Sequence, residues 1–557
     1  MPEREYLNWS LDQQYLLPPS LHDWLPENHA VYRFLELVNQ LDISEITERD
    51  QEKDPRGRRS YHPGMMLALL KWSYCQGSYS SRRIEKATYE QIPFRVLTGN
   101  QQPHFTVINE FRGRNLEALS GLFLQVLLLC SKLGMVELGH ISLDGTKVKV
   151  NASKHKAMSH KRMRQEIARY EREIRALVTR AEEEDRQEDD QGCLGPTEDE
   201  LPDELRRREQ RLARIKQLKA ELEADARHGR AADLRERAQE LRQRVATEDD
   251  ETEKKRKLTR ARKHEEKAIR LDDDNDDIGG TGCEDDADLP QHRVPTTKTG
   301  EPTDEAQRNF VDPDSRIMKL NGEYVQGYNA QILVDGDHQV IISQAVTNQA
   351  PDQQHLIPML DRAKAVFGPL SGPFSADAGY IADYNVEYCE AEGIDAYIST
   401  KRDKHGSDLA NADEHRQQAT EHPDPSHRMA DKMRSPEAKK IYARRKVIPE
   451  PVFGQIKEPR GFRRFSLRDT RKVRCEWTLV SLCHNLLKIL SMQGAIAPAN
   501  SLSGSRIDSI LNHLATILTA CSDRMRTRIQ RRMCRIGPLQ ILQNPRLALV
   551  GQFGTGS

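Results

Sequence analysis

The most constraining feature of the sequence is one strand-like segment that lies far along the chain from all the others. Residues 140–150, HISLDGTKVKV, alternate apolar and polar side chains as a strand does. Comparable runs return only after residue 320, beyond a long charged stretch at 156–307. Because a lone strand is not stable, we expect these distant segments to pair in one sheet. The chain must therefore form a domain that an insertion interrupts.

The segment before this strand has the periodicity of an all-α domain, assigned to residues 1–135. Apolar residues recur at helical spacing within 31–41, 65–74 and 116–133. A break at Gly99-Asn100 separates a short helix that opens near residue 80 from another that starts near residue 104. These helices fit a helix-turn-helix with 104–112 in a major groove, and they fit a plain helical bundle equally well. The DNA-binding candidates here are His104, Thr106, Arg112 and Arg114.

The segments after the insertion predict an α/β core. Strand-like runs lie at 328–334, 338–347, 374–376 and 394–399, and helical stretches lie at 353–367 and 381–392. Together with 140–150, this order predicts a mixed five-stranded sheet with helices. We assign the core to 136–155 and 308–490.

The insertion at 156–307 has a helical, highly charged pattern. Apolar residues recur at three-, four- and seven-residue steps from Ile167 to Val245, which is typical of a helical hairpin or coiled coil. The acidic run at 272–288 predicts a disordered tail. Because both charge signs are present, we favour a solvated helical arm over a dedicated nucleic-acid clamp.

Charge is balanced over the chain but not along it. The 85 Lys and Arg and 86 Asp and Glu give a net charge of −1, which identifies no partner. Residues 431–480 carry 15 Lys and Arg but 6 Asp and Glu, with aromatic residues interleaved, which suits a phosphate backbone. The last segment, 491–557, has six arginines between 524 and 535 and is predicted to be a basic helical tail.

The cysteines and the N-terminus indicate the compartment. The nine cysteines include no C-x-x-C pair, which argues against a disulfide framework or a zinc site. The N-terminus lacks an apolar signal core, and no stretch approaches the roughly 18 apolar residues of a membrane span. We therefore expect a cytoplasmic protein without a membrane partner.

Three acids are distinguished by their context. Asp144 follows apolar strand residues and precedes Gly145, so we expect it to end the first strand. Asp377 follows the strand at 374–376 in the same way, and Glu450 lies in the basic, apolar-periodic run 442–457. Carboxylates among cations are expected where Mg²⁺ meets a polyanion. The alternative for each is an ordinary turn or helix-capping acid.

Taken together, these segments resemble the signature of bacterial insertion-sequence DDE transposases, which have an RNase H-like catalytic core. The resemblance lies in LDGTK at 143–147, ADAGY at 376–380, the run from Tyr442 through EPVFGQIK at 450–457, and GFRRF at 461–465. The helical region with PHFT at 103–106 is similar to the helical domain that precedes this core in many such enzymes.

The resemblance assigns roles residue by residue. It implies that Asp144, Asp377 and Glu450 bind metal and catalyse. The residues implied to contact DNA near them are Tyr442, Arg445, Lys446, Lys457, Arg463 and Arg464. The family spacing around the glutamate is met by Lys446 and Lys457, whereas Arg445 lies one position early, so either cation could be the phosphate contact. Pro449 fits this pattern only if a helix starts there.

The resemblance implies cleavage at the ends of a mobile element, followed by strand transfer into target DNA. It implies two Mg²⁺ ions, with Mn²⁺ as the alternative, and double-stranded DNA partners, namely the terminal inverted repeats and the target. A homodimer in the synaptic complex and a place at the bacterial nucleoid follow from the same resemblance. Two alternatives stay open from the residues: a metal-dependent DNA nuclease that does not join strands, and a non-catalytic DNA-binding coiled-coil scaffold.

Overall fold

The computed structural model describes residues 20–51, 60–191, 200–246, 250–273, 288–320, 322–400 and 424–495. Residues 1–490 form one compact unit, and the predicted tail at 491–557 lies outside the described residues except for 491–495. The helices of the N-terminal region are α1 (Ala30–Asn39), α2 (Ser44–Gln51), α3 (Pro63–Cys75), α4 (Ser81–Glu90), α5 (Ile92–Leu97), α6 (Phe105–Arg114) and α7 (Leu116–Lys132). The elements that follow are β1 (Ile141–Lys149), β2 (Ala157–Ser159), α8 (His160–Gln191), α9 (Glu200–Ala246), α10 (Glu251–Asp273), β3 (Gln307–Asn309), β4 (Arg316–Leu320), β5 (Glu323–Asp335), β6 (Ile341–Thr347), α11 (Leu356–Phe367), β7 (Phe374–Ala376), α12 (Asp383–Ala391), β8 (Ala396–Ile398), α13 (Pro425–Arg434), α14 (Pro436–Ala443), α15 (Pro449–Lys457) and α16 (Thr470–Ala495).

Helix α3 lies at the centre of the helical N-terminal region. Every residue from 66 to 75 is buried, so this helix is enclosed on all sides instead of showing one apolar stripe. Helices α1, α5 and α6 pack around it. Helix α16 also packs against it, since the Cys483 thiol lies 3.5 Å from the Lys71 carbonyl oxygen. The N-terminal helices and the C-terminal core therefore share buried surface.

The sheet is mixed, as the sequence predicts. Its strand order is β4-β5-β1-β7-β8, and β6 also pairs with β5. Strand β1 runs antiparallel to β5 and parallel to β7, which is parallel to β8. The long β5 partner holds β1 along all of its length, from Ile141 opposite Asp335 to Lys149 opposite Gly327.

Two details of the predicted sheet are wrong. The sheet has six strands, not five, because β4 pairs with the first part of β5. Its sequence RIMKL contains two cations and is only partly buried, which makes a weak strand signal. Asp144 does not end the first strand, because β1 continues to Lys149 opposite β5.

The insertion joins the core through a small second sheet. Strands β2 and β3 pair antiparallel and bracket the insertion, with Ala157 opposite Asn309. Two side-chain contacts hold α9 over this base: Arg308 forms an ion pair with Asp225 at 2.6 Å, and His160 forms a hydrogen bond with Glu223 at 3.0 Å. The insertion is therefore anchored at the middle of α9.

Helix α9 pairs with a different helix on each side of this anchor. Its first half packs on α8 through a buried cluster that includes Met163, Ile215 and Leu218. Its second half packs on α10 through Leu234 and Leu271. These helices confirm the predicted helical character, and the coiled-coil form stays a prediction. The predicted break and acidic tail lie largely outside the described residues, at 192–199 and 274–287. None of the described helices is both long and apolar enough to cross a membrane.

The buried Lys71 gives a test of the packing between α3 and α16. Its amino group has no hydrogen-bond partner in the part of the chain that the structure describes. Burial lowers the pKa of Lys71 from 10.5 to about 7. We expect Lys71→Met to stabilise the protein by on the order of 3 kcal/mol at pH 7, because it removes a buried amine and keeps the side-chain length. Urea unfolding measures this difference.

The same substitution has a predicted pH dependence. Between the folded pKa of about 7 and the unfolded value of 10.5, the unfolded state binds more protons at Lys71. The wild type therefore gains stability from this group as the pH rises, and the advantage of Lys71→Met shrinks toward pH 10. The exposed Lys86 of α4 supplies the control variant, Lys86→Met, which should change stability by less than about 0.5 kcal/mol. An advantage that is constant with pH would contradict the prediction.

Candidate active site

Parallel pairing of β1 with β7 brings two of the candidate acids together. Leu143 lies opposite Ala376 at the last pair of this register. Asp144 and Asp377 are the next residue on each strand, so both lie where β7 ends. Binding sites commonly form at the carboxyl ends of parallel strands, where chain direction exposes such side chains.

Each aspartate is oriented by a nearby backbone amide. Asp144 Oδ1 accepts a hydrogen bond from the Gly145 amide at 2.9 Å, and Asp377 Oδ1 accepts one from the Gly379 amide at 2.9 Å. The second oxygen of each carboxylate, Oδ2, faces the guanidinium of Arg445. Each aspartate thus directs one carboxylate oxygen toward Arg445.

The third acid, Glu450, arrives on helix α15. This helix begins at Pro449, the position that the sequence requires, because proline is tolerated in a first helical turn. Val452, Phe453 and Ile456 are buried and fix the helix, which packs against β1 and β5. Glu450 in the first turn remains exposed next to the two aspartates.

Arg445 lies among all three carboxylates. Its guanidinium nitrogens are 3.6 Å from Asp144 Oδ2, 3.8 Å from Asp377 Oδ2 and 3.9 Å from Glu450 Oε1. The side chains of Arg445 and Asp144 are each 14 % exposed, whereas that of Glu450 is 53 % exposed. Arg445 Nη1 is buried and makes no hydrogen bond within the described residues. A single cation therefore links three acids that are distant in sequence.

The site is electrostatically unbalanced without a further cation. Burial raises the pKa of Asp144 to about 7, although Arg445 opposes this shift, and burial also raises the pKa of Asp377. Burial disfavours the charge of Arg445, but Asp144, Tyr442 and Asp377 outweigh it and raise its pKa. The three carboxylates face the guanidinium of Arg445, and Lys457 interacts with Asp144, so an excess of negative charge remains when all three acids are ionised.

The donor set suits a hard divalent cation. Carboxylate oxygens are the ligands that Mg²⁺ prefers. Among the described residues, no three acidic, histidine or cysteine side chains are already arranged to hold a metal ion. The Arg445 guanidinium lies in the space between the three carboxylates, 3.6 to 3.9 Å from each of them.

The predicted DNA contacts near the acids divide into two groups. Lys457 donates a hydrogen bond to Thr146 Oγ1, two residues from Asp144 on the same face of β1, and Tyr442 lies close enough to Arg445 to raise its pKa. These side chains border the carboxylates. Lys446 is exposed on the 3₁₀ turn that follows α14.

The remaining C-terminal cations lie just past α15. Arg463 is exposed and pairs with Glu458 at 2.5 Å. Arg464 is exposed and forms a backbone bridge with Lys149, at the end of β1. The structure therefore places both near the far end of the strand that carries Asp144.

The DNA-binding candidates of the helical region have different environments. His104 caps α6 by accepting from the Thr106 amide at 3.4 Å, and Thr106 is exposed. Arg114 is exposed and pairs with Glu110. Arg112, in contrast, is 6 % exposed and donates to the Tyr79 carbonyl at 3.0 Å. Its prediction as a DNA contact is therefore wrong, because the side chain holds α6 against the neighbouring segment.

A polar network that the sequence did not predict lies on the other face of β1. Asp352 Oδ1 accepts hydrogen bonds from Lys147 at 2.9 Å, Asn329 at 2.7 Å and Gln331 at 2.8 Å. The Tyr380 hydroxyl donates to Gln331 Oε1, which links the network to the loop that carries Asp377. The sequence signal was the polar alternation of Asn329 and Gln331 within an otherwise apolar strand.

Gly145 makes room for this network. It lies opposite Gln331 in the register of β1 and β5. A Cβ atom at Gly145 would lie 2.3 Å from Gln331 Nε2, too close for any contact. The absence of a side chain beside Asp144 thus allows Gln331 to reach Asp352.

Comparisons with known protein families identify the chain. Residues 291–486 match the family Transposase DDE domain, and residues 19–114 match the family Transposase domain (DUF772). These matches together cover more than half of the sequence, and the chain belongs to the insertion-sequence DDE transposases. The DDE match includes Asp377 and Glu450, whereas Asp144 lies before its start. Searches of curated proteins and of solved structures each found no match.

This membership confirms the class that the sequence predicts. The protein is a transposase, an enzyme that acts on DNA by phosphodiester cleavage and strand transfer, and its family generally uses divalent metal ions. The mixed sheet with helices is consistent with an RNase H-like core. The non-catalytic scaffold is thereby set aside.

Asp352 provides a test of the network beside the site. We expect Asp352→Asn to destabilise the protein by about 2 kcal/mol, because Lys147, which is 17 % exposed, loses its charged partner. Thermal unfolding measures the loss. The matched control is Asp304→Asn, whose partner Arg164 is 53 % exposed, so that change should cost less than about 1 kcal/mol. Equal losses in the two variants would contradict a structural role for the network.

Proposed function

We propose that Asp144, Asp377 and Glu450 are the catalytic triad of this transposase and bind two Mg²⁺ ions, which Mn²⁺ can replace. The observation that supports this is the position of all three carboxylates within 4 Å of the one guanidinium of Arg445. Divalent ions bound by these carboxylates would activate the attacking oxygen and stabilise the leaving oxygen of an in-line phosphoryl transfer.

The chain's own groups prepare the triad for this role. The amides of Gly145 and Gly379 each bind one aspartate oxygen and leave the other turned toward the site. The partly buried position of Asp144 makes its charge costly, which favours cation binding. The neighbouring Lys457 and Tyr442 suit contacts to the phosphates of a DNA end.

The reaction has two phosphoryl transfers. In the first, water attacks the phosphodiester at an element end and releases a 3′-hydroxyl. In the second, this 3′ oxygen forms a bond to a target phosphorus, and the bond from that phosphorus to the target's own 3′ oxygen breaks. Both steps develop charge on phosphate oxygens, which nearby lysines and arginines stabilise.

The exposed side chains among the predicted DNA contacts are assigned to two parts of the DNA. We assign the exposed Arg463, Arg464 and Lys446 to the DNA near the cleaved phosphate, and His104, Thr106 and Arg114 to the terminal repeats. Double-stranded DNA is the substrate at both the terminal inverted repeats and the target. A homodimer at the nucleoid is proposed because two element ends must be held together during transfer.

Substitution of the triad tests the assignment. Asp144→Asn, Asp377→Asn and Glu450→Gln should each reduce cleavage of a labelled element end by at least about a thousandfold, because the removed charge is needed for cation binding. DNA binding in Ca²⁺ should remain. Glu458→Gln, an exposed acid just past the same helix, is the control and should cut normally. Cleavage by any triad variant at the wild-type rate would show that the assignment is wrong, and an assay for joined product separates a transposase from a nuclease.

The open choice between Arg445 and Lys446 has its own test. Arg445 faces the acids, whereas Lys446 faces solvent. Of the two substitutions, we therefore expect only Lys446→Gln to weaken DNA binding. The magnitude of the slope of log K for DNA binding against log salt concentration should fall by about 0.9. Arg445→Gln should instead lower the melting temperature without metal and enlarge its rise on adding Mg²⁺. A changed salt slope in Arg445→Gln with none in Lys446→Gln would reverse the two roles.

A further inference from the structure

The second half of α9 and helix α10 form a hairpin that projects from the anchored middle of the insertion. Two ion pairs set its antiparallel register, Arg235 with Asp272 and Arg242 with Glu265. The buried Ala231, Leu234 and Ala268 lie in its apolar seam. The hairpin extends beyond residue 231 by about 20 Å, at 1.5 Å per helical residue.

Charge is separated along this hairpin. Residues 254–263, KKRKLTRARK, carry seven Lys and Arg and no Asp or Glu. The acids Glu251 and Glu253 lie before them in the first turn of α10, where they interact favourably with the helix dipole. The acids at this end therefore flank the basic run and do not interrupt it, and Lys254 and Arg262 pair with the flanking Glu251 and Glu266.

The two helices line a groove at this end, which we call the distal groove. It is lined by Leu241, Arg244, Glu253, Lys255, Arg256, Lys257, Thr259, Arg260 and Lys263. Six of these side chains are cationic and one is acidic. Residues from both helices contribute, so the clustering of charge depends on the folded hairpin.

Part of this charge has no carboxylate partner among the residues that the structure describes. Arg256 pairs with Glu253 at 3.2 Å. No carboxylate of the described residues lies within ion-pair distance of Lys255, Arg260 or Lys263, and all three side chains are exposed. The nearby His264 has a lowered pKa, first from partial burial and then from arginines that include Arg260. Such a cluster costs self-repulsion that a polyanion removes.

We propose that the distal groove binds the phosphate backbone of double-stranded DNA, as a contact separate from the catalytic site. The inference rests on the proposed function only in its choice of DNA as the polyanion. Exposed lysines and arginines without carboxylate partners release counterions when they contact phosphates, which gives affinity without base recognition. The insertion is thus a DNA-holding arm, and not the solvated arm that its overall composition favours.

The test compares two triple variants of the full chain. The first, Lys255→Gln with Arg260→Gln and Lys263→Gln, removes three charges from the distal groove. The second removes three exposed charges from α8 and consists of Arg169→Gln, Arg172→Gln and Arg175→Gln. On this helix the arginines alternate with the acids Glu166, Glu171 and Glu173, so the charge is mixed. Binding of unrelated duplex DNA is measured by fluorescence anisotropy in EDTA over a range of salt, and circular dichroism verifies helix content.

We expect the distal-groove variant to lose about tenfold or more in affinity, and its salt slope to fall by up to about 2.7, or 0.9 for each phosphate contact. The α8 variant should stay near the wild type. Equal slopes for the distal-groove variant and the wild type would overturn the proposal, as would a loss of self-association with unchanged DNA binding. Mg²⁺-dependent cleavage by the wild type is measured in parallel, so that a failure of the catalytic assignment is distinguished from a failure of this one.

Discussion

Compensation of negative charge at the end of β7 is the constraint on which the site depends. Parallel pairing places Asp144 and Asp377 side by side, and like charges in a partly buried place repel. Arg445 lies between them and also reaches Glu450, and Lys457 adds a second cation near Asp144. These cations do not neutralise three ionised carboxylates, and the remaining negative charge supports the proposed binding of divalent ions.

The two faces of β1 have separate tasks. Asp144 and Thr146 share one face and meet the residues that surround α15. Gly145 and Lys147 share the other face and meet the polar network around Asp352. The Tyr380 hydroxyl, in the loop after Asp377, donates a hydrogen bond to Gln331 of this network. The network on one face of β1 therefore helps to hold the loop that carries Asp377.

Particular elements show how far the sequence reaches. The strand at 374–376 and the helix start at Pro449 are found where the sequence predicts them, because a buried apolar run and an N-terminal proline are local signals. The edge strand β4 and the true end of β1 were not predictable locally, since both depend on pairing with β5. Arg112 is a cation at the end of a helix, which is typical of a DNA contact, but its side chain is buried. Its hydrogen bonds to Tyr74 and Tyr79 depend on tertiary packing, so the sequence could not show the burial.

The sequence by itself determined the class of protein. It also predicted a division into a helical region, an interrupted core and a charged insertion, and it singled out the three acids proposed for catalysis. Spacing and composition carry this information because motifs and hydrophobic periods are short-range properties. Only the tertiary structure decided that Arg445 faces the acids while Lys446 faces solvent, and that the basic end of α10 lines one groove with Arg244 of α9. Both arrangements bring together residues from separate segments of the chain. The distances between these residues depend on strand pairing and helix packing, which a local sequence pattern cannot predict.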